Sequence, residues 1–185
     1  ALVNGQLASG GWDYRIEFDP EKRKKYAYRS NDGVVGKRNT TTLDDNTTQS
    51  ALSFLIRIDQ ALQFRHQAIH NSALVGLESL LKAQYPNGAW PQRFADYPKA
   101  PDFPVSPANY PVSWSRTHPR QDYRSFYTFN DNTISDTIHL MLDAAEIYNQ
   151  EKYRQSALKA GDFIVLAQMP DPQPAWAQQY NSAGQ

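Results

Sequence analysis

The stretch Thr41-Thr42-Leu43-Asp44-Asp45-Asn46-Thr47-Thr48-Gln49 returns, loosely, as Thr128-Phe129-Asn130-Asp131-Asn132-Thr133-Ile134. Each copy opens a helical pattern, and each is followed at a fixed distance by a small residue and a tryptophan. Asp45 to Trp90 is 45 residues, and Asp131 to Trp176 is also 45. A repeat of this length predicts stacked helical hairpins, because one hairpin cannot bury its apolar stripe alone. Acidic residues stand at the same place in each unit, so stacking predicts carboxylates gathered at one end of the stack.

Working outward, four helices follow from apolar residues at helical spacing. The first is predicted at 46–63 (Ala51, Leu52, Leu55, Ile58, Ala61, Leu62) and the second at 67–84 (Ile69, Ala73, Leu74, Leu77, Leu80, Leu81), stopped by Pro86-Asn87-Gly88. The third is predicted at 131–149 (Ile134, Ile138, Leu140, Met141, Ala144, Ile147). The fourth is predicted at 151–168 (Ala157, Leu158, Phe163, Ile164, Leu166), ended by Met169-Pro170. The tails match as well: Leu81-Lys82-Ala83-Gln84 leads to Gly88-Ala89-Trp90-Pro91-Gln92, and Leu166-Ala167-Gln168 leads to Pro174-Ala175-Trp176-Ala177-Gln178. Gly10-Gly11-Trp12 has the form of a tail from an earlier, incomplete unit. The expected fold class is all-α, with repeated hairpins forming a partial α/α toroid that carries long irregular loops. The expected organisation of 1–185 is a single domain, or a fragment of a longer one. It divides into an irregular segment 1–40, a first hairpin unit 41–92, a Pro- and aromatic-rich loop 93–127 and a second hairpin unit 128–178. Within 1–40, Asp19 is placed to cap a short helix with Pro20 at its first position.

Bulk properties narrow the function. At 185 residues the chain is long enough to bury a core, and 19 basic against 19 acidic residues give no net charge. That balance recommends neither nucleic acid nor an anionic membrane as partner. There is no cysteine, which removes disulfide and thiolate chemistry. No apolar run nears the roughly 20 residues that span a bilayer. Ala1 is not a natural start, so the chain reads as processed or excised, and an extracellular or periplasmic monomer is expected.

Asp and Asn at helix starts are first of all N-caps. Capping needs one side chain, however, and the first site offers Asp44, Asp45 and Asn46, the second Asn130, Asp131 and Asn132. Adjacent carboxylates are costly unless a cation or proton separates them. Oxygen-only ligands suit Ca²⁺ better than Zn²⁺. His66 and His70 have the spacing of a helical zinc pair, but Gln67 stands where a zinc protease needs Glu, and no third ligand is visible. His118 and His139 read as structural. The loop 93–127 interleaves Tyr97, Phe103, Tyr110, Trp114 and Tyr123 with Arg116, Arg120 and Arg124, a pattern that suits either an anionic sugar polymer or the packing of an extended loop.

These segments resemble the family 10 polysaccharide lyases, pectate lyases of α/α-toroid fold. The likeness covers roughly residues 40–181, and its specific parts are Ala83-Gln84-Tyr85-Pro86-Asn87-Gly88-Ala89-Trp90-Pro91-Gln92 and Thr128-Phe129-Asn130-Asp131. The resemblance implies Ca²⁺-assisted β-elimination on polygalacturonate. It implies carboxylates at helix starts as cation ligands, here Asp45 with Asn46 and Asp131, with Asp44 as the alternative match at the first site. It implies a substrate surface drawn from Asn130, Trp90, Tyr127, Trp114 and Arg124, and an Arg as base. That Arg is expected beyond Gln185, with Arg116, Arg120 and Arg124 as weaker matches. Three further readings stand beside it. They are a non-catalytic carbohydrate-binding module, a helical enzyme holding Mg²⁺-diphosphate (for which Thr48 stands where a third acidic residue is wanted), and a protein-binding scaffold.

Overall fold

The computed structural model describes residues 1–31, 36–99, 102–113, 117 and 122–185. Its body is two antiparallel helical hairpins. Helix α3 (Thr47–Ala61) pairs with α4 (Gln67–Ala83), and α5 (Thr133–Tyr148) pairs with α6 (Glu151–Leu166). Each helix ends within two residues of the bound read from periodicity. The main difference lies at the start of α3 and α5, where Asp45 and Asp131 fall in a separate turn rather than in the helix. The faces buried between helices are apolar: Leu52, Leu55 and Ile56 on α3, Leu77 and Leu80 on α4, Leu140 and Met141 on α5, Tyr153 and Phe163 on α6. Leu62 and Leu158, counted on the apolar stripes, are exposed instead.

Contact between the hairpins runs through α3 against α5, which sets the helix starts side by side. Short strands fix the register. Strand β1 (Thr41–Thr42) pairs antiparallel with β2 (Arg93–Phe94), and β3 (Tyr127–Thr128) with β4 (Gln179–Tyr180). In each unit the residue before the acidic turn binds the residue two beyond the tryptophan. Leu43 N–H donates to Gln92 O at 2.8 Å, and Phe129 N–H to Gln178 O at 2.8 Å. Successive units are stitched the same way: Thr42 N–H donates to Trp12 O at 3.0 Å, and Thr128 N–H to Trp90 O at 3.1 Å.

The three tryptophans are equivalent. Trp12 Nε1 donates to Leu2 O at 3.0 Å, Trp90 Nε1 to Leu80 O at 2.9 Å and Trp176 Nε1 to Ile164 O at 2.7 Å. Each indole thus satisfies a carbonyl orphaned at a helix C-terminus. The helical turn α1 (Leu2–Gly5) is therefore the end of an incomplete first unit. Glutamines repeat with the tryptophans and act as latches. Gln6 Nε2 donates to Gly10 O (2.7 Å) and to Ser72 O (2.8 Å) of the next hairpin. Gln84 Nε2 donates to Gly88 O and Ser156 O, both at 2.9 Å. Gly88 must be glycine there: its φ is +101°, and a Cβ would lie 2.1 Å from Lys159 O.

The segment expected to be irregular, 1–40, is more ordered than its polarity suggests. Leu7, Tyr26 and Tyr28 form a second small core, with the two rings stacked at 5.1 Å. The short helix α2 (Pro20–Arg23) begins as its sequence predicts, with Asp19 accepting from the N–H groups of Glu21 and Lys22. No helix among the described residues is long and apolar enough to cross a membrane.

Candidate metal centre

The two acidic segments fold alike because of a backbone conformation that Asp and Asn tolerate best. Asp45 (φ 49°) and Asn46 (φ 57°) are both left-handed, and so are Asp131 (φ 53°) and Asn132 (φ 56°). Two consecutive non-glycine residues in this region are uncommon and cost of order 1–3 kcal/mol each. Each pair turns the chain sharply between a two-residue strand and a helix. Gln49 braces the two turns, its Nε2 donating to Leu43 O at 2.8 Å.

Stacking then brings carboxylate oxygens of Asp44, Asp45 and Asp131 within 4.8 Å of one another. None of the three caps a helix. The N-cap residues are Asn46 for α3 and Asn132 for α5, and neither makes a side-chain capping bond. The simplest structural role for these acids therefore does not account for them.

Asp44 is nearly buried and firmly held. Its Oδ2 accepts from Tyr14 Oη at 2.5 Å and from Arg93 Nη2 at 3.1 Å, and its Oδ1 accepts from Gln92 Nε2 at 3.0 Å. Burial alone would raise its pKa. Hydrogen bonds with Tyr14, Arg93 and Asp131, and the charge of Arg93, outweigh burial and hold it below the ordinary carboxylate value. Tyr14 is pushed up to about 12, first by burial and then by its bond to Asp44. Asp45 and Asp131 are exposed at the rim. Asp131 Oδ2 accepts from Asn130 Nδ2 at 2.5 Å, and Asn130 Oδ1 accepts from Gln179 Nε2 at 3.0 Å.

Other residues expected at the site lie elsewhere. Trp90 is fully buried, with its ring in the core and its Nε1 on Leu80 O, so it offers no face to a ligand. Tyr127 is 3% exposed, wedged edge-on against Tyr85 and Phe163, and its hydroxyl is buried with no hydrogen-bond partner among the described residues. Both were read as substrate contacts, and the next unit's strand covers them instead. Arg124 forks onto Asp122, with Nε to Oδ1 at 2.8 Å and Nη2 to Oδ2 at 2.5 Å. Trp114, Arg116 and Arg120 lie outside the described residues, as does His118. His70 donates to or accepts from buried Asp59 at 2.8 Å, a structural contact at the opposite end of α3 from the acidic turn.

Sequence reasoning missed Tyr14, Gln92 and Arg93. A signal existed for two of them: Tyr14 and Gln92 both stand two residues beyond a repeat tryptophan, and both donate to Asp44. The donor set fits a hard cation. It is all oxygen, and three carboxylates against the Arg93 guanidinium leave two net negative charges, matched to one divalent ion.

The comparisons agree with this architecture. None of the curated proteins matches the chain. Among solved structures, the family 10 polysaccharide lyase from Cellvibrio cellulosa superimposes with a TM-score of 0.63 at 19% identity. A mutant of a family 10 polysaccharide lyase from Cellvibrio cellulosa, in complex with trigalaturonic acid, gives 0.64 at 18% identity. Each match covers 98% of this chain and 50% of that one, so the chain spans about half the length of these structures. At such identity the likeness concerns the helical fold. The family model described as Pectic acid lyase matches residues 6–150, more than half of the sequence, and the chain belongs to that family.

Proposed function

We propose that this chain forms the cation-binding half of a pectate lyase, acting on polygalacturonate by Ca²⁺-assisted β-elimination in an extracellular or periplasmic setting. The observation that carries the reading is the meeting of Asp44, Asp45 and Asp131 from two repeats, on strained turns that cap nothing. Asp45 and Asp131, exposed at the rim, would hold Ca²⁺, with Asn46 beside them on its left-handed turn. Asp44 is fixed from behind by Tyr14, Gln92 and Arg93, so its position is set before any ligand arrives. When bound, the cation would neutralise the uronate carboxylate and acidify the proton on C5. Asn130 stands at the same rim, where a sugar hydroxyl can reach it. In this reading the hairpins form an arc of an α/α toroid.

The elimination also needs a base. Among the described arginines near the site, Arg93 is committed to Asp44 and Tyr14, and Arg124 to Asp122. That commitment favours a second reading, in which these residues bind the polymer without cleaving it. One assay separates the two. Polygalacturonate with Ca²⁺ is incubated with the 185-residue chain, and ultraviolet absorbance follows the unsaturated product while calorimetry follows binding. Ca²⁺-dependent binding without turnover is expected, lost in Asp131→Ala. Absence of Ca²⁺-dependent binding would overturn both readings. Full turnover would overturn the assignment of the base to residues outside this set.

A further inference from the structure

Three aromatic side chains beside the carboxylates are exposed: Tyr14 by 48%, Phe18 by 70% and Phe54 by 57%. They line one groove of about 500 Å³, together with Arg15, Thr47 and Ser50. Large exposed aromatics gathered in one concavity are unusual on a soluble surface and mark a binding face. The groove is joined to the carboxylates through a single residue. Tyr14 lends its ring to the groove wall while its hydroxyl donates to Asp44 Oδ2 at 2.5 Å.

We infer that this groove is a subsite for the sugar residues that follow the one at the carboxylates, and so for an extended uronate chain. The inference rests on the cation-site reading and deepens it. The chemistry of the walls selects such an occupant. A pyranose ring presents an apolar face of C–H groups, which suits the flat faces of Tyr14, Phe54 and Phe18, and hydroxyls at its edge, which suit Thr47 and Ser50. The negative charge of a uronate is met by Arg15, whose guanidinium Nε lies 3.3 Å from Tyr26 Oη on the groove rim. The one acid on the wall, Asp13, has its Oδ1 turned back to accept the N–H of Tyr14 at 2.8 Å. Continuity decides the direction: a chain anchored by a carboxylate beside Asp44 meets Tyr14 first, and Phe54 and Phe18 beyond it.

The test is dependence on ligand length. The 185-residue protein is titrated with trigalacturonate and with hexagalacturonate in Ca²⁺ by calorimetry, alongside Phe54→Ala, Phe18→Ala and Phe54→Tyr. Both phenylalanines are exposed, and circular dichroism melting checks that the variants fold. The wild type is expected to bind the hexamer about tenfold more tightly than the trimer, on the scale of one or two aromatic contacts. Phe54→Ala and Phe18→Ala each lose most of that gain and keep the trimer affinity, and Phe54→Tyr keeps the gain. Equal length dependence in wild type and both Ala variants overturns the subsite and leaves the cation site standing. No binding of either oligomer by the wild type overturns the cation-site reading, and the subsite with it. Self-association in sedimentation that Phe54→Ala abolishes would assign the groove to a second copy and also overturn the subsite.

Discussion

Replacing Asp131 by Asn gives opposite results for a cation ligand and for a structural acid. Asn keeps an oxygen to accept from Asn130 Nδ2, so the local hydrogen bond survives while the charge is lost. With carboxylate oxygens within 4.8 Å of one another, each like-charge pair costs about 0.9 kcal/mol in a water-like dielectric and more where solvent is excluded. Asp131 faces two such neighbours, and Arg93 offsets part of the repulsion at Asp44. The variant should therefore be more stable than wild type by about 1–2 kcal/mol in cation-free buffer at low salt. In a protein of this size that is an upward shift of a few degrees in melting temperature, at roughly 2–4 °C per kcal/mol. Ca²⁺ at a hundredfold excess over Kd should stabilise the wild type by about 2.7 kcal/mol and the variant far less, so the two melting curves cross as Ca²⁺ is added. Differential scanning calorimetry with and without Ca²⁺ reads both effects. Had Asp131 been a helix cap, its loss would cost about 0.5–2 kcal/mol at every Ca²⁺ concentration. A variant less stable in cation-free buffer, or one shifted by Ca²⁺ as much as wild type, refutes the reasoning.

Gly88→Ala should destabilise by at least about 2 kcal/mol in urea unfolding, because its φ of +101° and the 2.1 Å approach of Lys159 O both exclude a side chain. Gly161→Ala is the control: no atom lies within 4 Å of its Cβ position, so gaining helix propensity should stabilise α6 by roughly 0.5–1 kcal/mol. Trp90→Phe should cost about 2 kcal/mol through a cavity and the unpaired Leu80 carbonyl, with oligogalacturonate affinity measured by calorimetry unchanged. The Tyr14–Asp44 contact predicts a pH dependence in cation-free buffer. Tyr14's raised pKa means that its contribution is complete below pH 10 and is lost as pH rises through about 12, so wild type and Tyr14→Phe should converge there in thermal melts. Asp44's lowered pKa works the other way: its contribution is complete above pH 3.8 and is lost as pH falls below that value, an acid limb that Asp44→Asn should lack.

The hairpins were legible in the sequence because helical amphipathicity is local. Leu52, Leu55 and Ile56, or Leu140, Met141 and Ala144, reveal a buried face with no knowledge of what covers it. The repeat was legible too, since Asp45 and Asp131 stand at equal distances from Trp90 and Trp176, and equal units stack with like ends together. The Asp-Asn pairs even carried a hint of left-handed backbone, which those residues tolerate.

Burial and pairing across the stack were not legible. An indole or phenol suits a sugar face and a core equally well, so Trp90 and Tyr127 read as ligand contacts until the neighbouring unit was laid over them. Trp176 has the same sequence context as Trp90 and is 48% exposed, because no following unit packs on it among the described residues. Asp44 gains Tyr14 from 30 residues upstream and Arg93 from 49 residues downstream. No local pattern specifies such partners. They meet because strand β1 lies between the loop after Trp12 and strand β2 after Trp90, bonding Trp12 O on one side and pairing with Arg93 and Phe94 on the other. Local periodicity thus determined the elements and their order. Which carboxylate is clamped and which are left at the rim was decided only by hydrogen bonds between chain segments far apart in sequence.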